Sequence, residues 1–275
     1  MRAGTVHAPA GGMGDCILMD FHKGFFAVSD GASRNPAASY HFLSRFAEGL
    51  DRIRPLDPGI FLSPAAFRSA RDEFLAQAGA TLEQIPYTES CTFTGLLIAR
   101  TRRQGARGIL LHTGDSLLFQ VDARPGSCRQ LTTNNFWMVG RSKRYFQIDE
   151  IDLPDESVFI LATDGISDLG SEGNATTSES IARLSARHPI EGVADEIVES
   201  IDLHTPRTDD IGVVVLRPDR LLSAPARFLV GGTGGEEETV YRERCRDGTY
   251  EDRYLPAPGA ACSGGPSQTG RDDED

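Results

Sequence analysis

Five aspartates of the 275-residue chain stand at the ends of apolar runs. FFAVSDG closes on Asp30-Gly31 and VFILATDG on Asp164-Gly165. Asp115 occupies a Gly-Asp-Ser turn between ILLHT and LLFQV, TDDIGVVVL opens with Asp209-Asp210, and Asp15 starts the run in GGMGDCILM. Each alone reads as a turn, because Asp-Gly is a common hairpin signal and Asp a frequent cap. Asp115 fits that reading best. Asp30 and Asp164 fit it poorly, since the residues after Asp-Gly do not resume an alternating strand. Past Gly31 the chain runs through Ser33-Arg34 into a helix start, and past Gly165 through Ile166-Ser167-Asp168 into a Gly- and Ser-rich loop.

Carboxylates gathered on one rim impose a chemistry. Two of them about 4 Å apart repel by roughly 4 kcal/mol at an effective dielectric near 20. Several together stay ionised only if a cation compensates. Hard divalent ions such as Mg2+ and Mn2+ take carboxylate, carbonyl and water oxygens. The chain has no paired His or Cys at ligand spacing, which argues against zinc. Two hard ions about 3.5–4 Å apart polarise a phosphoryl group and lower the pKa of a shared water.

Such a rim needs strands to carry it. Cys16–Phe21 and Phe25–Ser29 read as strands around a His22-Lys23-Gly24 turn. Asn35-Pro36 and Ser63-Pro64 each supply a cap and a first-turn proline, predicting helices that bury Phe42, Leu43, Phe46 and Leu50, then Phe67, Phe74 and Leu75. Strands are predicted at Thr92–Ala99, Gly108–His112, Leu117–Val121, Cys128–Leu131, Gln147–Leu153 and Ser157–Ala162. Helices follow near Ser178–Arg187 and Ile190–Ile201, and a last strand at Ile211–Leu216. Short turns between strands imply mainly antiparallel sheets, and paired helices between blocks of strands imply an α+β layered fold.

Composition bounds the rest. Net charge is −12, which argues against nucleic-acid and anionic-membrane binding. No apolar run approaches the roughly 20 residues that span a bilayer, and the N-terminal stretch lacks a secretory apolar core. Cys16, Cys91, Cys128, Cys245 and Cys262 form no C-x-x-C pair and read as reduced thiols, so a cytoplasmic location is expected. Residues 231–275 hold eleven acids against five arginines. Residues 1–222 are expected to form the folded domain, and 223–275 a flexible acidic Gly/Pro/Ser-rich tail with at most a short element near Ala226–Val230.

FFAVSDG, TGDS, LATDGISD and TDDIGVVVL occur in an order that resembles the PP2C-type (PPM) metal-dependent protein serine/threonine phosphatases, whose motifs read V-x-D-G, G-D-S, A-T-D-G-x-x-D and D-N-x-T-V-V-V. ESCTFTGLLIA resembles that family's strand ahead of G-D-S, and the likeness covers roughly residues 4–216. It implies an α/β/β/α sandwich of two mainly antiparallel sheets flanked by helix pairs. It implies a dinuclear Mn2+ or Mg2+ site, with Asp30 bridging, Gly31 offering its carbonyl, Asp164 and Asp209 ligating, and Asp15 at the acidic position of the first motif. Asp115 and Asp168 match positions linked to a looser third ion. Hydrolysis of phosphoserine or phosphothreonine in proteins would proceed through a metal-activated water, with Asp30 and Asp164 acting through it. A phosphorylated protein, a serine/threonine kinase or its targets would be the partners, and the chain would be a monomer.

The sequence also departs from the family pattern. Gly14 precedes Asp15 where Glu is usual, and Ala10 stands where an Arg clamps phosphate. Asp30-Gly31 is followed by Ala32-Ser33-Arg34 rather than His-Gly-Gly or Met-Gly-Gly, Asp210 replaces Asn, and Gly212 replaces Thr. Arg34 is a candidate phosphate contact, as guanidinium suits bidentate phosphate binding. The same departures support an alternative: a catalytically impaired domain that binds a phosphoprotein or regulator. A hydrolase of a small phosphate substrate is a third reading, since fold does not fix function.

Overall fold

The computed structural model describes residues 2–6, 14–32, 36–54, 60–101, 105–122, 127–169, 175–201, 209–221, 224–231, 239–244 and 250–255. In chain order these carry β1 (Arg2–Val6), β2 (Asp15–Asp20), β3 (Phe25–Asp30), α1 (Pro36–Asp51), β4 (Phe61–Leu62), α2 (Pro64–Gln84), β5 (Phe93–Thr101), β6 (Gly105–Thr113) and β7 (Leu117–Val121). Next come β8 (Cys128–Gln130), β9 (Gln147–Leu153), β10 (Val158–Ala162), α3 (Thr177–Arg187), α4 (Ile190–Glu199), β11 (Ile211–Leu216), β12 (Ala226–Gly231), β13 (Thr239–Arg244) and β14 (Tyr250–Leu255).

The strands form two sheets, ordered β1-β11-β10-β7-β8 and β14-β13-β12-β2-β3-β5-β6-β9, with β4 beside β5. Every pairing is antiparallel except the short β4–β5 one. Side chains on a strand alternate between faces, and here both faces are covered. In β3, Phe25 and Ala27 join the core under α1 and α2, while Phe26 and Val28 join the core between the sheets. In β11, Val214 and Leu216 face the inter-sheet core, and Ile211, Val213 and Val215 face α3 and α4. The order is therefore helices, sheet, sheet, helices, as the layered α+β expectation has it. Double burial explains why these strands read as continuous apolar runs.

The helix starts follow local chemistry. Ser63 caps α2 by accepting from the Ala66 amide, with Pro64 at the first turn. Thr176 and Glu179 form a reciprocal capping box that starts α3.

The short element expected near Ala226–Val230 is β12, and the tail expectation for residues 223–275 needs correction at β13 and β14. β12 pairs with β2, and β13 and β14 continue the same sheet. β12 is held there by an ion pair that composition hides. Arg227, on β12, is buried and donates to Asp20 at 2.6 and 2.8 Å and to Asp51 at 2.7 and 3.1 Å. β13 and β14 are charge-rich, with Arg242 opposite Asp252 in the register, so no apolar period marks them. β1 and β4 also carry no sequence signal that sets them apart.

Candidate functional site

Asp15 begins β2 and Asp30 ends β3, and the antiparallel register sets them opposite each other. Asp115 lies where the chain leaves β6 in one sheet and enters β7 in the other. Asp164 opens a 3-10 turn after β10, and Asp209 precedes β11, the neighbour of β10. Ends of both sheets thus converge at one edge of the sandwich.

Hydrogen bonds lock the two sheets there. The Thr163 hydroxyl donates to Asp15 Oδ2 at 2.5 Å and accepts from the Gly212 amide at 2.8 Å. The Gly14 amide donates to Asp210 Oδ2 at 2.5 Å. The Gly14 carbonyl accepts from the Gly31 amide at 3.1 Å and from the Ser39 hydroxyl of α1. The Asp30 backbone amide donates to the Thr92 hydroxyl at 3.1 Å. Gly165 packs against β11 so closely that an added Cβ would lie 2.1 Å from the Asp210 carbonyl oxygen. Glycine is required there by close approach rather than by backbone angle.

The electrostatics follow from this crowding. Burial, then charge repulsion from Asp164, Asp209 and Asp115, raises the Asp30 carboxyl to about 7. Burial, then Asp115 and Asp209, push Asp164 up to about 6. Asp15 rises well above the carboxylate range because it is buried and faces Asp30 and Asp210, against the opposing Thr163 bond. Asp15 and Asp30 face each other across the β2–β3 register, and each is raised. Burial also raises Asp115. Cys91, pushed up to about 12 by burial, is an inert thiol beside the site.

Among the described residues, no three His, Cys, Asp or Glu groups are already drawn close enough to cage an ion. The carboxylates nevertheless sense one another through buried surroundings, as the raising of Asp30 and Asp164 by their acidic neighbours shows. The donor set, all oxygen and all acidic, fits hard divalent ions and not zinc. Asp15, Asp30, Asp115, Asp164 and Asp209 are the residues that could hold them, with Gly31 beside Asp30 in the backbone bridge to Cys91.

Of the remaining sequence candidates, Asp168 ends the 3-10 turn, and its side chain lies outside the described residues, as do Arg34 and Ala10. Sequence reasoning missed Thr163 and the role of Asp210. Thr163 sits inside the ATDG motif, and Asp210 stands out as a second acid beside Asp209. Asp210 is buried and serves the Gly14 amide, so the two departures from the family pattern at 14 and 210 meet in one hydrogen bond.

Residues 62–219 match the family model for stage II sporulation protein E (SpoIIE). The chain belongs to the SpoIIE family. No curated protein matches it significantly in sequence. Solved structures similar to this SpoIIE-family chain include the catalytic domain of the serine threonine protein phosphatase PstP in complex with two manganese ions, at 18% identity and TM-score 0.57, covering 78% of this chain and 95% of that one. The PPM Ser-Thr phosphatase MsPP from Mycobacterium smegmatis, in complex with cacodylate, matches at 17% identity and TM-score 0.56, covering 78% and 97%. RsbX in complex with magnesium matches at 14% identity and TM-score 0.52, covering 78% and 92%. The fold of the SpoIIE-family chain is thus that of PP2C-type phosphatases.

Proposed function

We propose that this chain is a protein serine/threonine phosphatase, a phosphoric monoester hydrolase that uses two Mn2+ or Mg2+ ions and has room for a third. The observation that carries the reading is the convergence of Asp15, Asp30, Asp115, Asp164 and Asp209 from separate strand ends onto one edge. Asp30 is the central group, since Asp164, Asp209 and Asp115 all act on it. We assign it to both ions, with Asp164, Asp209 and the Gly31 carbonyl completing the set, Asp15 behind Asp30, and Asp115 and Asp168 toward a third ion. When bound, such ions polarise phosphoryl oxygens and acidify water. The chain itself fixes Asp15 through Thr163 and Asp210 through Gly14, and seats Gly165 tightly against β11. Ala10 has no cationic group to offer a phosphate, and Arg34 is our candidate for that role. The substrate is a phosphorylated protein, a kinase or a kinase target, met by a monomer in the cytoplasm.

The departures at Ala10, Gly14 and Ala32 favour a second reading, a catalytically impaired domain that binds a phosphoprotein or regulator. Hydrolysis of p-nitrophenyl phosphate and a phosphothreonine peptide separates the two. The first reading expects Mn2+-dependent turnover that Asp30→Asn and Asp164→Asn each lower by at least ~100-fold, the scale of several kcal/mol of charge stabilisation. Partner binding without turnover supports the second.

A further inference from the structure

The cleft formed by Phe136, Trp137, Met138, Arg141, Lys143 and Arg144, about 520 Å³ in volume, runs against the grain of the surface. The chain carries a net charge of −12, yet this cleft is lined by three cations and no acid. Phe136 is fully exposed. Exposed aromatics beside arginines are a signature of interaction surfaces.

The cleft is built rather than incidental. Arg144 lies across the Trp137 ring at 4.9 Å, and Phe146 meets that ring edge-on at 5.5 Å. The Lys143 ammonium donates to the Ile85 carbonyl at 2.6 Å, which anchors the cleft on the end of α2. Gly140, at φ 82°, presses on the Pro86 and Glu89 carbonyls, where a Cβ would come within 2.8 Å. The Asn135 side-chain oxygen accepts from the Gly114 and Trp137 amides at 3.0 Å each, and its backbone amide donates to the Gly114 carbonyl at 2.9 Å. The cleft is therefore tied to the turn that carries Asp115.

It is tied to Asp30 as well. Cys91 bridges Gly31 on one side and Val139 on the other. Arg141 Nε donates to the Ser90 hydroxyl at 3.1 Å, and the Ser90 carbonyl accepts the Ala32 amide at 2.9 Å. Two β spacings of about 4.8 Å put Val139 about 10 Å from Gly31. An extended peptide covers that in about three residues.

We propose that this cleft docks the acidic flank of the phosphoprotein substrate, reading Asp or Glu with an apolar neighbour a few residues from the phosphorylated side chain. Arg141 and Arg144 take the carboxylates, and Phe136 takes the apolar side chain. Substrate recognition of this kind rests on the phosphatase reading above, but the binding test does not. Trp137 is the only tryptophan in the chain, so its emission reports the cleft directly.

The test titrates the full chain, with saturating Mg2+, with unphosphorylated Glu-Phe-rich and Lys-Phe-rich peptides of equal length. The Glu peptide is expected to shift Trp137 emission and bind at least ~tenfold tighter than the Lys peptide, as opposed charge patterns discriminate partners. Arg141→Glu and Arg144→Glu should each erase that preference, Arg141→Gln should reduce it, and Phe136→Ala should weaken binding about threefold. Equal responses to both peptides, or none, overturn the proposal. Trp137 emission that changes with protein concentration alone, together with dimers in sedimentation, would also overturn it and assign the cleft to a second copy. Failure to hydrolyse phosphothreonine peptides of either flank would sink the phosphatase reading and leave the titration standing.

Discussion

Asp30 holds a carboxyl raised from 3.8 to about 7 by burial and by Asp164, Asp209 and Asp115. The folded chain therefore binds more protons than the unfolded one between those values, and without metal its stability falls as pH rises from about 4 to about 7. Asp30→Asn removes the buried charge. In EDTA the variant should melt roughly 3–10 °C above wild type at about pH 7.5 and within about a degree of it at about pH 4. Added Mn2+ should reverse the order by raising wild type alone. A calorimetric difference that does not change with pH would contradict this. Gly165 carries a second prediction at this scale. Gly165→Ala forces a Cβ onto the Asp210 carbonyl, and overpacking of that kind costs about 1–3 kcal/mol. Because the clash lies between Asp164 and Asp209, Mn2+ affinity should fall about tenfold or more, read by calorimetric titration. Unchanged affinity would mean that these two carboxylates do not act together. Asp30, Asp164, Asp209, Asp115 and Asp15 could be singled out in the sequence because each stands at the end of an apolar run. Thr163 was not, since a hydroxyl inside a strand end looks like any other strand residue until its partner strand is placed.

Elements position these residues, and β12 is the one whose weight the sequence conceals. Its Arg227 joins Asp20 on β2 to Asp51 on α1, the strand and helix that supply Asp15 and Ser39 to the site. Removing one partner of a buried ion pair costs about 3–5 kcal/mol. Arg227→Met should therefore lower the melting temperature by roughly 10 °C, with Arg227→Lys in between. A chain cut after 222 should be destabilised more than one cut after 255, as followed by thermal unfolding. Equal destabilisation would return residues 226–255 to the role of an independent tail. The main helices and central strands were readable, from Pro at the first turn, from helical spacing and from apolar runs. β12 was readable only as a short element near Ala226–Val230, and β1, β13 and β14 were not readable, because their pairing depends on distant strands and on charges that composition counts as solvent-facing.

Across the whole molecule, two sheets and two helix layers share three cores. That arrangement makes the site an edge property: no single strand owns it, and neither sheet alone can assemble it. The layering was legible from paired helices between blocks of strands, whereas the cationic cleft over Trp137 was not. Its residues come from one loop, but their meaning depends on the Cys91 bridge to Gly31 and on contrast with an acidic surface. Everything proposed for the site turns on whether the converging carboxylates hold two ions with Asp30 between them. Electron paramagnetic resonance of the full chain titrated with Mn2+ reads that arrangement. Two ions bridged by Asp30 should give an exchange-coupled signal that saturates at two ions per chain and vanishes in Asp30→Asn. An uncoupled six-line signal at every loading, or coupling that survives Asp30→Asn, would contradict it.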